Sequence, residues 1–161
     1  MPLSKLREFL DRNQIQYLVI SHSVACTAQG IAALTHIKGK ELAKTVMVLV
    51  DGRLAMAVVP ASLRVDLHRL KKYLGAETVE LATEQEFRGR FPDCETGSMP
   101  PFGNLYGMDV FADESLADDK EISFNAGTHR ELVRMRFEDF ERLTKPFVIP
   151  IAARQVAVHA A

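Results

Sequence analysis

The sequence predicts an α+β domain built on a mixed, barrel-like β-sheet flanked by helices, on three observations. Two nearly continuous apolar segments, Lys44–Val50 and Arg53–Pro60, are joined by Asp51-Gly52. Strand-like segments outnumber helical ones and do not alternate with them one for one, as a doubly wound sheet would require. At 161 residues, with 47% hydrophobic and 25% charged side chains, the chain has the length and composition of one globular domain, expected to span residues 1–161.

Each element has its own local reason. Leu3, Leu6 and Leu10 recur at helical spacing, and Asn13 suits a left-handed stop, so the first dozen residues read as an amphipathic helix. Tyr17–Ile20 reads as a short strand with His22 at its end. Thr27 can cap a second helix carrying Ile31 and Leu34, which leaves Ser21–Cys26 as a loop. Asp-Gly supplies the two positive-φ positions of a type I′ turn, so residues 44–60 form a hairpin whose strands are central and covered on both faces. Asp66 caps a helix with Leu67, Leu70 and Leu74 inward and Gly75 beyond its end, and Thr83 with Glu86 makes a capping box. Further strands are expected at Glu77–Leu81, Gly107–Ala112, Glu121–Asn125 and Glu131–Arg136, with a last helix over Glu138–Leu143.

Twenty basic side chains nearly cancel twenty-one acidic ones, for a net charge of −1, so no global positive field draws in nucleic acid and any such contact is local. No apolar run approaches the ~20 residues that cross a bilayer, and Met1–Leu10 lacks the apolar core of a secretory signal, so a cytoplasmic protein without membrane contact is expected. Cys26 and Cys94 show no ligand spacing and are expected to be reduced thiols. His22, His36, His68 and His159 show no metal spacing either, so neither metal nor cofactor is assigned.

Three segments could carry chemistry. The run from Pro92 to Asn104 contains Gly97-Ser98-Met99-Pro100-Pro101-Phe102-Gly103. Glycine lets backbone amides approach a ligand and the prolines stiffen the loop, so it is either a surface carbonyl-binding loop tolerant of substitution or an ordinary Ω-loop. Lys44 opens a strand buried on both faces, where an ammonium sits at the mouth of a cleft or is costly to desolvate; Lys38, Lys40, Arg64, Arg69, Lys71 and Lys72 form either a phosphate-binding rim or plain solvated surface. Phe124-Asn125-Ala126-Gly127-Thr128-His129 closes a strand in a small-residue turn, where His129 either orients a water or a substrate amine or serves structure alone. Ser98 lacks a nucleophile elbow, and Asp93 and Glu95 push the Cys94 thiol away from the thiolate, so neither is a nucleophile.

Gly39-Lys40-Glu41-Leu42-Ala43-Lys44-Thr45-Val46, the hairpin ending Val59-Pro60, Leu74-Gly75-Ala76, the Gly97–Gly103 loop and Asn125-Ala126-Gly127-Thr128-His129 together resemble the YbaK/prolyl-tRNA synthetase-associated editing domain family over roughly residues 15–145. The resemblance implies a YbaK-like fold and a trans-editing aminoacyl-tRNA deacylase that removes a small mischarged amino acid, with proline tRNA as its expected carrier. It implies that Lys44 grips the phosphate or sugar of the terminal adenosine. Gly97 and Pro101 match the ends of a Gly-x-x-x-Pro loop whose amides hold the ester carbonyl. His22, Ser98, Met99, Pro100, Asn125, Gly127 and His129 are then the expected substrate-binding residues. Water is the implied nucleophile, helped by the free ribose hydroxyl, and the implied partners are the tRNA acceptor end and prolyl-tRNA synthetase. The branch that clears cysteine carries a basic pair after Ala-Gly where this chain has Thr128-His129, so the amino acid removed is not named by the resemblance. A module that keeps the pocket but binds a nucleotide or a synthetase without turnover is the other reading open at this point.

Overall fold

The computed structural model describes residues 3–23, Gly30, Thr35 and residues 37–154. The helix expected behind Thr27, with Ile31 and Leu34, lies outside the described residues. Along the described chain run α1 (Ser4–Arg12), β1 (Tyr17–Ser21), β2 (Ala43–Val50), β3 (Arg53–Pro60), β4 (Leu63–Val65), α2 (Leu67–Leu74), β5 (Val79–Leu81), α3 (Glu84–Phe87), β6 (Val110–Asp113), β7 (Glu121–Asn125), β8 (Glu131–Arg136), α4 (Phe137–Thr144), β9 (Phe147–Ile149) and β10 (Ala152–Arg154).

The hairpin forms as its turn chemistry dictates: Asp51 (φ 49°) and Gly52 (φ 81°) are both left-handed, and β2 pairs with β3 from Ala43↔Pro60 to Val50↔Arg53. It sits at the centre of a five-stranded sheet in the order β5-β2-β3-β6-β9, whose β3–β6 and β6–β9 pairs are parallel. An antiparallel sheet, β1-β8-β7, stands beside it. The two meet at a parallel bridge between Leu42 and Ser123, where the Ser123 amide donates to the Glu41 carbonyl (2.9 Å), and they do not close into a barrel. A two-stranded β4–β10 ribbon completes the described sheet structure.

Strand alternation divides the buried side chains into layers. Met47, Met56 and Val58 of the hairpin face Ile122, Phe124, Val133 and Met135 of the second sheet, and α1 (Leu6, Leu10) and α4 (Phe137, Phe140) close this core. Phe102 stands at its centre, its ring 5.5 Å from Phe124 and 5.6 Å from Phe140. On the other face of the hairpin, Val48, Ala55, Ala57 and Val59 pack under Leu70 of α2. Each fully buried Leu or Phe contributes about 1.5–3 kcal/mol of transfer free energy. Both faces of the hairpin are thus covered, as its continuous apolar pattern requires.

The caps also behave as their residue types predict. The Asp66 side chain accepts from the Arg69 amide and Gly75 is left-handed, while Thr83 and Glu86 form the reciprocal capping box around a single turn of helix. Other expectations need correction. Asn13 is not left-handed (φ −89°); the positive φ falls one residue later, at Gln14. The strands expected from Glu77 and Gly107 begin only at Val79 and Val110, and α4 is longer at both ends than Glu138–Leu143. Strands β4, β9 and β10 were not expected: three residues are too few to show a period of two, and β5, equally short, was reached only as the end of a longer expected strand from Glu77.

Candidate active site

Lys44 lies on β2 one position past Ala43, so strand alternation turns it away from the central core and onto the face that carries Val46 and Val48. There it lines a cleft of about 540 Å³ whose walls come from β2, β4, the start of α2 and β5. Its ammonium is half-buried, and that desolvation holds it below the usual lysine range. No carboxylate pairs with it among the described residues. Asp66 lines the same cleft, but its carboxylate already accepts from the Arg69 amide (3.1 Å) and faces Arg69 Nε (3.8 Å). An unpaired, half-desolvated cation is the arrangement that an incoming anion relieves.

The Gly97–Pro101 loop is not the surface feature expected of it. Ser98 is fully buried, and Met99, Pro100, Pro101 and Phe102 are buried with it, the last at the centre of the core. Gly97 takes φ +87°, a left-handed conformation that glycine adopts without strain. The loop is tied to the turn after β7 by direct bonds. The Gly127 amide donates to the Ser98 carbonyl (2.9 Å), and the Glu95 amide donates to the Gly127 carbonyl (2.9 Å). Nε2 of His129 lies 2.8 Å from the Thr96 carbonyl oxygen. The Ser98 hydroxyl donates to the Glu95 carbonyl (2.6 Å), so it faces the protein. Pro100 and Pro101 carry no N–H, and the Ser98 amide is taken by the Glu95 carbonyl; the Gly97 and Met99 amides are thus the loop donors left without a protein acceptor among the described residues.

Glu95 was not anticipated as a site residue. Its backbone bonds both the loop and the turn, and its carboxylate accepts from the His129 amide (3.2 Å). The available signal was a carboxylate two residues before the loop glycine, which sequence reasoning weighed only for its effect on Cys94. That thiol is pushed up chiefly by burial, with Asp93 adding to the effect.

His22, Asn125 and His129 converge on one end of the three-stranded sheet. Asn125 is paired with Leu132 and Leu132 with Ile20, while the His22 amide donates to the Arg130 carbonyl (2.8 Å). His22 Nε2, Asn125 Oδ1 and His129 Nδ1 are each buried without a partner among the described residues, although buried polar atoms are normally hydrogen-bonded. Lys44 is related to this end through the bridge between the sheets: Lys44 and Asn125 each lie two residues past Leu42↔Ser123, on segments running in the same direction. Direct bonds therefore unite the loop with Gly127 and His129. His22 and Asn125 share their strand end, whereas Lys44 lines a cleft to which neither the loop nor the turn contributes a lining residue among the described residues.

The aminoacyl-tRNA editing domain family matches residues 22–143, which include all of these side chains. The proline–tRNA ligase of Bacillus cytotoxicus is 31% identical over 87 residues, 54% of this chain and 15% of the ligase. That of Leuconostoc citreum is 28% identical over 105 residues, 65% of this chain and 18% of the ligase. The chain thus spans less than a fifth of the length of the curated relatives it matches. Among solved structures, a hypothetical protein superimposes with a TM-score of 0.83 at 20% identity, over 93% of this chain and all of that one. A candidate trans-editing enzyme for prolyl tRNA synthetase superimposes at 0.79 with 20% identity, covering 94% of this chain and 96% of that one; at these identities the likeness establishes the YbaK-like fold. With three quarters of its length matched by one family and its fold shared with that family's structural neighbours, the chain belongs to the aminoacyl-tRNA editing domain family.

Proposed function

We propose that this chain hydrolyses the ester linking a small, mischarged amino acid to tRNA, with proline tRNA as the carrier. The observation that carries the reading is Lys44, a half-buried ammonium without a counter-ion among the described residues, in a cleft walled by β2, β4, the start of α2 and β5. A phosphate of the terminal nucleotide supplies the missing anion and offsets the desolvation that lowers the lysine's pKa. The matched ligases, which act on proline tRNA by name, support the choice of carrier.

In this reading the Gly97 and Met99 amides hold the ester carbonyl and the negative charge that develops on it. Water adds to the carbonyl carbon, aided by the free hydroxyl of the terminal ribose. The bond to the esterified ribose oxygen then breaks, that oxygen takes up a proton, and free amino acid and tRNA leave. Asn125, His129 and His22 offer unpartnered polar atoms to the substrate. A deacylase pocket gains only about 1–3 kcal/mol per methylene, so exclusion of larger, correctly attached residues is the workable form of selectivity. The test is a panel of mischarged tRNAs without added metal: deacylation of at least one of alanyl-, cysteinyl- or seryl-tRNA is expected, and a panel left intact overturns the proposal.

A further inference from the structure

We propose that the cleft holding Lys44 is an approach track for the single-stranded 3′ end of the tRNA, in which Arg64 and His68 take the backbone phosphate on the 5′ side of the terminal nucleotide. This rests on the deacylase reading and extends it to two residues which that reading does not use. The cleft, about 540 Å³, falls within the range of roughly 300–1,000 Å³ typical of small-ligand sites. One part of its lining is aliphatic (Val46, Leu67, Leu81) and another is basic (Lys44, Arg64, His68). Leu81, on an edge strand, is 58% exposed and offers an uncovered apolar face to a base.

The charge balance of the cleft selects the ligand. Its one carboxylate, Asp66, is occupied by the amide and guanidinium of Arg69. Lys44 has no ion pair, and Arg64 uses only Nε, toward the Arg154 carbonyl (3.3 Å), which leaves its two terminal nitrogens without a partner among the described residues. Two uncompensated cations beside an apolar wall suit alternating phosphates and bases, and single-stranded nucleic acid is bound by that combination. Because the whole chain carries a net charge of −1, such a local cluster is what an acceptor end would meet.

The test is fluorescence anisotropy with a labelled short RNA ending in C-C-A, over a salt series. Arg64→Gln is expected to weaken binding roughly tenfold and to make the log–log salt dependence shallower by about 1, whereas Arg64→Lys keeps most of that slope. His68→Ala removes a side chain that makes no protein hydrogen bond among the described residues, and it carries the same test if loss of the Arg154 contact unfolds Arg64→Gln. RNA binding that is unchanged in a variant with the wild-type thermal midpoint overturns the proposal, as does a polyglutamate peptide that binds this cleft as tightly as the RNA. The two readings fail separately. RNA binding that responds to Arg64 while every aminoacyl-tRNA stays intact removes the deacylase and keeps the track; turnover with RNA binding indifferent to both variants does the reverse.

Discussion

The imidazole of His129 lies beside Gly97: a β-carbon at position 97 would stand 3.5 Å from His129 Cε1, and Nε2 of the same ring lies 2.8 Å from the Thr96 carbonyl oxygen. Loop and turn are therefore one packed unit, and a substitution at Gly97 acts on folding as well as on the proposed carbonyl site. Because φ is +87°, Gly97→Ala is expected to cost about 1–2 kcal/mol of stability from the left-handed backbone alone. Gly97→Val costs more, since a β-branched side chain is a genuine outlier at this positive φ. Urea denaturation measures both, and an unchanged midpoint for Gly97→Val would mean that this conformation does not hold the loop.

His129→Ala separates substrate selection from support. Losing the contact to Thr96 should cost about 1 kcal/mol, the typical worth of one hydrogen bond. Its backbone bond to Glu95 remains, so the turn keeps its anchor. The expected outcome is a folded protein with a changed ratio of alanyl- to cysteinyl-tRNA hydrolysis. An unchanged ratio, with a small fall in thermal midpoint, would assign His129 to structure alone.

Lys44→Met tests the cost of keeping a cation half-buried. Activity should fall at least about 100-fold, the scale on which removal of an electrostatic group from a reacting site acts, while thermal stability at neutral pH should rise because no charge is desolvated. The folded pKa of Lys44 is lowered, so the unfolded chain binds more protons between the folded and unfolded values, and wild-type stability rises relative to the variant through that window. The advantage of the Lys44→Met variant therefore shrinks as pH climbs towards ~10.4, the ordinary lysine value. A variant that is less stable than wild type at pH 7 would show that Lys44 has a favourable partner in the folded protein.

Much of the fold was legible because its signals are local. Asp51-Gly52 set the hairpin, Asp66 and Gly75 set both ends of α2, and the apolar runs of β2 and β3 announced a strand pair covered on both sides. Strands β4, β9 and β10 depend on tertiary partners and carry no period of their own. The site divides in the same way. Lys44 was singled out by its place at the start of a buried strand and the Gly97–Pro101 loop by its composition, their roles coming from family resemblance, and the burial of the loop could not be read from a segment rich in turn formers. What buries it is Phe102, one position past Pro101, which occupies the centre of the core. That Lys44 has no ion pair among the described residues was likewise invisible, because it depends on which side chains β4 and α2 bring to the cleft.

Asp113 is the long-range link that accounts for the unanticipated C-terminal strand. It ends β6 and is 4% exposed. One carboxylate oxygen accepts from the Ile151 (2.9 Å) and Ala152 (2.8 Å) amides, and the other accepts from the amide and hydroxyl of Ser115. Ile151 packs under α2, and Ala152 opens β10, which pairs with β4. The carboxylate thus ties the β4–β10 ribbon, which carries Arg64, to β6 of the five-stranded sheet. Asp113→Ala leaves three backbone amides, those of Ile151, Ala152 and Ser115, without their acceptor, and at about 1–3 kcal/mol for each buried donor a loss of at least roughly 3 kcal/mol is expected. Asp113→Asn keeps one acceptor oxygen and should lose about half as much. Hydrogen exchange discriminates between this and a general loss of packing: the amides of 151 and 152 should open first, ahead of the β2–β3 hairpin, and a uniform rise in exchange across both regions would count against Asp113 as a specific tether.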